Sequence, residues 1–220
     1  MKKREKFVLS FDLDNTLINN KEGIVDSFNY ALNKFDLPKL EKLQIEFMIG
    51  ISLNEMFTKV SDKDPSKLSS AFREYYGKKG IYQAKLLPGI KSKLEELKKL
   101  NFTMGIITSK KQEMAIQLIK ILQMEDFFDY ILGETEDRKE LGKLDPELKI
   151  ILKKKYPEYQ IIVIGDHPKD AMLSNNLNCP FIGVLSGNHS AKQLNEIKYG
   201  KVIILNSVRE LNVDLIYSLI

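Results

Sequence analysis

A single cysteine, Cys179, leaves no partner for an intrachain disulfide and suits a reducing compartment. It stands in NCPFIGV, at the entry to an apolar run, and reads as a buried structural thiol rather than a nucleophile. Two histidines, His167 and His189, are too few for a histidine-rich metal site. No run approaches the roughly 20 apolar residues of a membrane span. The apolar part of MKKREKFVLSF is too short for a secretory signal and runs into Asp12. A basic stripe with interleaved aromatics is also missing: 34 Lys and Arg against 30 Asp and Glu give only +4, with the signs interspersed. These absences exclude nucleic acid and membrane as expected partners. They leave a cytoplasmic chain, monomer or small homo-oligomer, whose charge is compatible with phosphorylated small molecules.

At 43% hydrophobic and 29% charged, the 220 residues can bury one full core, or one core with a smaller inserted unit. Short apolar runs at 6–12, 102–109, 130–133, 160–166, 180–185 and 201–206 alternate with amphipathic stretches such as GIKSKLEELKKL. Continuous apolar strands separated by helices predict a parallel sheet covered on both faces, the doubly wound (Rossmann-like) α/β fold. The alternation lapses between Leu17 and Leu87, where no strand pattern stands out. Helical patterns take its place: GIVDSFNYALNKF, LEKLQIEFMI, LNEMFTKV and SKLSSAFREYYGKK. The predicted organisation is an α/β core of residues 1–16 and 88–220, with residues 17–87 as a small all-helical cap and its hinge linkers.

In such sheets ligands bind beyond the carboxyl ends of the strands, and three predicted strands end in unusual polar residues. The first ends in DLDNT, with Asp12 and Asp14 one residue apart; the second in Thr108-Ser109; the fourth in Gly165-Asp166, with Asp170 four residues on. If these strands are neighbours, several carboxylates meet at one point, and their repulsion calls for a cation. Oxygen-only ligands favour a hard ion, with Mg²⁺ the usual choice beside phosphate. Lys143, just before a helix start at Asp145-Pro146, can reach over the cluster.

These elements, in this order, resemble the haloacid dehalogenase superfamily: DLDNT its first motif, Thr108 its second, Lys143 its third and GDHPKD its fourth. The position of the helical insert is similar to the cap of the first subfamily. LPGI, IGVLSG and VRELNVDLI resemble the phosphoglycolate phosphatase-like branch. The resemblance implies a Mg²⁺-dependent phosphatase acting on a small phosphorylated metabolite: phosphoglycolate, a sugar phosphate, a nucleotide or pyrophosphate. It implies that Asp12 attacks phosphorus and forms an aspartyl-phosphate, and that Asp14 serves as acid and base. Thr108 and Lys143 hold the phosphoryl oxygens. By the same resemblance Asp12 and Asp166 bind the metal together with the backbone carbonyl of Asp14, and Asp170 binds it or orients a metal-bound water.

Leu144 stands where the family usually has proline, and Lys139 and Lys149 are rivals for the lysine role. Thr108 or Ser109 is expected to cap the following helix, Lys110 and Lys111 to form its solvated first turn, and His167 to lie on the loop surface. MIGISLNEMF resembles a cap substrate loop, with a turn at Gly50 and a helix start at Ser52. It carries no Arg or Lys after the glycine, which weighs against a β-phosphoglucomutase-like phosphomutase, the nearest alternative. Lys42 and Lys59 have no mark of a Schiff-base lysine. Asp14 is absent from 2-haloacid dehalogenases, so its presence argues against dehalogenation. A non-catalytic phosphate-responsive binding protein is the alternative of another class.

Overall fold

In the computed structural model, described for residues 6–136, 142–197 and 199–219, six strands form one parallel sheet. They are β1 (Lys6–Phe11), β4 (Thr103–Lys111), β5 (Tyr130–Glu134), β6 (Tyr159–Gly165), β7 (Phe181–Val184) and β8 (Val202–Leu205), in the order β5-β4-β1-β6-β7-β8. The chain builds outward from β1 in one direction, then returns to build from β6 in the other. The strand order therefore reverses between β1 and β6, the point where doubly wound sheets open a crevice for ligands. The register pairs Ser10 with Gly105 and Val163, so β4 and β6 flank β1 directly.

The side chains of β1 divide between two cores. Phe7, Leu9 and Phe11 pack with Leu94 of α5 (Ile90–Lys99) and Leu118 of α6 (Gln112–Ile121). Val8 faces the other way, toward Leu148 and Leu152 of α7 (Glu147–Lys155), Leu173 of α8 (Pro168–Leu177) and Leu194 of α9 (Ala191–Ile197). Period-two alternation with both faces covered accounts for the unbroken apolar run in the sequence. Each fully buried Leu or Phe contributes roughly 1.5–3 kcal/mol by leaving water. The chain closes with α10 (Val213–Ser218), whose Ile216 joins the first core. Among the described residues no helix is long and apolar enough to cross a membrane.

Between β1 and α5 lie four helices: α1 (Lys21–Lys34), α2 (Lys42–Glu46), α3 (Leu53–Thr58) and α4 (Pro65–Lys78). Their starts follow the chemistry of capping. Ser52 accepts from the Glu55 N–H while Glu55 reaches back to the Ser52 N–H, and Asp64 accepts from Ser66 ahead of Pro65. The stacked rings of Phe28 and Phe57, 4.2 Å apart, join α1 to α3. Where no strand stood out in the sequence, the outgoing and returning connections pair as a two-stranded antiparallel ribbon, β2 (Ile18–Asn19) with β3 (Lys85–Leu86). Two-residue strands carry no periodic signal, which explains the miss.

Candidate active site

The backbone of β1 holds Asp12 at the sheet's carboxyl end, because the ladder runs one residue past the strand: the Asp12 N–H donates to the Ile164 carbonyl at 2.8 Å. The chain then turns sharply through Asn15, at φ 61°, a left-handed conformation that Asn tolerates. The turn brings Thr16 back under β6, where its hydroxyl donates to Asp166 at 2.9 Å. Asp170 sits in the first turn of α8, and its carboxylate accepts from the His167 N–H at 3.0 Å. Carboxylate oxygens of Asp12, Asp166 and Asp170 all lie within 4.8 Å of one another, and all three residues are buried. Two glycines make room for this packing: a Cβ at Gly187 would lie 1.8 Å from Asp166 Oδ2, and one at Gly165 would lie 2.2 Å from Asp170 Oδ2.

Lys143, in a 3₁₀ turn over Gly142–Leu144, reaches into this cluster. Its Nζ donates to Asp12 Oδ1 at 2.5 Å and to Asp170 Oδ1 at 2.7 Å, with the side chain almost wholly buried. Its rival Lys149 is on α7, and Lys139 lies outside the described residues. Burial pushes the Asp12 carboxyl up; Lys143 pulls it back and Asp170 raises it again, leaving it at about 7. Burial, then Asp12 and Asp170, push Asp166 well above the usual carboxylate range. Burial would depress the Lys143 ammonium, but Asp12 and Asp170 more than reverse that, and its pKa is raised. Three carboxylates against one ammonium leave two negative charges when all are ionised. A divalent cation with a preference for oxygen would balance them, so the donor set fits Mg²⁺.

Asp14 stands apart from this cluster. Its carboxylate pairs with Lys110 at 3.1 Å and accepts from Asn20 at 3.3 Å, while Asn20 also donates to the Tyr76 hydroxyl at 2.5 Å. The Lys110 Nζ lies 4.9 Å from the centroid of the Tyr76 ring. This corrects the expectation that Lys110 is a solvated helical residue. β4 runs on to Lys111, which keeps Lys110 extended and turns its side chain inward to Asp14. Burial opposes the Lys110 charge, yet Asp14 and Tyr76 more than compensate, and the ammonium is held high. Neither Thr108 nor Ser109 caps α6; Lys111 precedes that helix without a side-chain cap. Thr108 is buried, its hydroxyl accepting from the Lys110 N–H at 3.2 Å, and Ser109 donates to the Gly50 carbonyl at 3.0 Å. His167 is buried rather than exposed: it caps α8, accepting from the Lys169 N–H at 3.0 Å, and its ring packs edge-on against His189. Burial, reinforced by Lys143, lowers its pKa to about 3.

Above Asp12, Asp14, Thr108 and Lys143 opens a chamber of about 680 Å³, its mouth included, roofed by α1, α3, α4 and the loop at Gly50. The stretch MIGISLNEMF, read as a cap substrate loop, supplies Gly50, Ile51, Leu53 and Met56 to the chamber, whereas Ile24 and Phe72 of the roof, Lys110 as partner of Asp14 and Thr16 as donor to Asp166 were not assigned from the sequence. Thr16 was visible as the last residue of DLDNT; the others depend on how the insert packs.

A family model for haloacid dehalogenase-like hydrolases matches residues 9–184. A protein of Bacillus cereus (strain Q1) named pyrophosphatase PpaX is 28% identical over 171 residues, covering 76% of this chain and 77% of that one. A phosphoglycolate phosphatase of Mannheimia succiniciproducens is 26% identical over 197 residues, covering 82% and 86%. The crystal structure of a protein from Clostridium acetobutylicum described as a predicted phosphatase superposes with a TM-score of 0.85 at 28% identity, covering 97% of this chain and 99% of that one.

Proposed function

This chain belongs to the haloacid dehalogenase-like hydrolases, and from that premise we propose that it is a Mg²⁺-dependent phosphatase, hydrolysing a small phosphorylated metabolite through an aspartyl-phosphate on Asp12. The observation that carries the reading is the buried convergence of Asp12, Asp166 and Asp170 on Lys143 beneath a roofed chamber. The names of its relatives, phosphoglycolate phosphatase and pyrophosphatase, agree with it.

Asp12, Asp166 and Asp170 would hold the ion, joined by the backbone carbonyl of Asp14. When bound, the ion supplies charge neutralisation and polarises the phosphoryl group. Lys143 fixes the Asp12 carboxylate in one orientation and neutralises charge on the phosphoryl oxygens. Asp12 attacks phosphorus, a bond forms from its carboxylate oxygen, and the ester P–O bond breaks. Asp14, at the edge of the chamber, gives its proton to the departing oxygen. It then takes a proton from the water that attacks phosphorus and releases phosphate from Asp12. Thr108 donates to a phosphoryl oxygen. Residues 17–87 act as a cap that shuts water out while the leaving group is present, moving on the β2–β3 ribbon.

The test is a panel of phosphorylated metabolites assayed with Mg²⁺ and with chelator, beside Asp12→Asn. Metal-dependent phosphate release is expected, reduced on the order of 10⁴-fold or more by the substitution. Turnover that survives Asp12→Asn refutes the aspartyl-phosphate, and a panel without any turnover refutes the phosphatase.

A further inference from the structure

The chamber's wall is made mainly of hydrocarbon. Ile24 of α1, Ile51 in the loop, Leu53 and Met56 of α3 and Phe72 of α4 face it from the insert, and Met114 of α6 closes it from the sheet side. The two methionines give that wall adaptable, polarizable surface. Besides Lys143 on the floor, three cations border it, and each already has a carboxylate. Lys110 pairs with Asp14 at 3.1 Å, Arg73 faces Glu134 at 3.6 Å, and Lys111 lies between Glu113 at 3.8 Å and Glu136 at 4.0 Å. Glu134 itself lines the chamber. A second anionic group on the substrate would have to compete with these carboxylates for their cations and sit beside Glu134, which repels it. An apolar group meets no such opposition and gains from every methylene removed from water.

We infer that the group cleaved from phosphate is a predominantly apolar alcohol, alkyl or aryl, without a second carboxylate or phosphate. This rests on the phosphatase reading above and narrows it. It separates this chain from the substrates in its relatives' names, whose leaving groups are a small hydroxy acid and a phosphate.

The experiment compares kcat/KM of the full chain with Mg²⁺ on propyl, butyl and hexyl phosphate, on phenyl and 1-naphthyl phosphate, and on phosphoglycolate and pyrophosphate. Efficiency is expected to climb by about fourfold for each methylene buried, with 1-naphthyl phosphate at least about tenfold ahead of phosphoglycolate and pyrophosphate. Leu53→Asn, at a half-buried wall position, is expected to flatten the alkyl series and to shrink the naphthyl advantage at least about threefold, as the loss of one wall contact predicts. Phosphoglycolate or pyrophosphate in the lead, or a flat series, overturns the inference and leaves the phosphatase standing. If no compound is turned over, the phosphatase fails. The chamber is then judged by calorimetric binding to Asp12→Asn with Mg²⁺, where phosphoglycolate binding as tightly as 1-naphthyl phosphate overturns the inference.

Discussion

Charges at the floor of the chamber are almost dry: Asp12, Lys143, Asp166 and Asp170 expose 4% or less. The charges that tie the roof to the sheet remain wet. Lys169 and Glu55 pair at 2.6 Å with side chains 20% and 48% exposed, and Arg73 reaches Glu134 with its own side chain 31% exposed. Both regions hold ion pairs, but water makes them different objects. A dry pair cannot be undone without leaving an uncompensated charge. A wet pair exchanges its partner for water at little cost. The floor is thus held in one geometry by strand ends, while the pairs between roof and floor are of the kind that water can replace.

The largest break in that contrast comes from Lys143→Met. It keeps the side-chain volume and removes the ammonium that bridges Asp12 and Asp170 in the cluster of three buried carboxylates. Turnover is expected to fall by roughly 10²–10³, and metal-free stability in urea unfolding by roughly 3–5 kcal/mol. Mg²⁺ should restore part of the stability, since it opposes the same repulsion, without restoring turnover. A stability change below about 1 kcal/mol would mean that the floor is as wet as the roof.

A smaller effect sharpens the comparison through pH. Asp12 titrates at about 7 in the folded chain and near 3.9 when unfolded. Between those values the folded state keeps a proton that the unfolded state has lost, so the Asp12 contribution to stability falls as pH rises from about 4 to 7 and is flat above. His167, held neutral down to about 3, works in the opposite sense below about 6.5. Subtracting the profile of Asp12→Asn removes the histidine's part. Without metal, the wild type should lose stability relative to Asp12→Asn across that window, as read by Tm, and saturating Mg²⁺ should abolish or reverse the slope. A difference profile flat from pH 4 to 8 would show that Asp12 is not in a dry, crowded site.

The same contrast explains what could be read in the chain beforehand. Asp12, Asp166 and Asp170 were legible because parallel strands deliver their carboxyl ends to one edge, and an aspartate closing an apolar run is conspicuous. Lys143 was legible because Asp145-Pro146 marks a helix start: Asp145 accepts from the Glu147 N–H at 2.8 Å, and α7 begins there. The four inserted helices announced themselves through capping residues and periodicity. Lys110 was misread because inward and outward lysines look alike until a strand's end is known, and β4 ends two residues later than its apolar pattern. His167 was misread because its burial comes from the Gly50 loop, where a Cβ would lie 2.3 Å from the imidazole. Contacts between the roof and the floor join segments far apart in sequence, and no local period encodes them.

The smallest expected effect tests the roof. Glu55 carries two duties, since its carboxylate accepts from the Ser52 N–H at 2.8 Å and from Lys169 at 2.6 Å. Burial pushes its pKa up, but these hydrogen bonds outweigh burial and hold it below the usual range. Glu55→Gln preserves the capping geometry and removes only the charge that reaches across to α8. The loss of stability is expected to stay within about 1 kcal/mol, to shrink further at 1 M salt as the remaining charges are screened, and to be matched by Lys169→Met without additional loss in the double variant. Limited proteolysis should nevertheless cut the 17–23 and 81–89 connections sooner, because the pair holds the roof down rather than holding the fold together. A loss of several kcal/mol would put this contact in the same class as Lys143 and Asp170. The roof would then be as fixed as the floor, and an alcohol could leave the chamber only by some route other than lifting the insert.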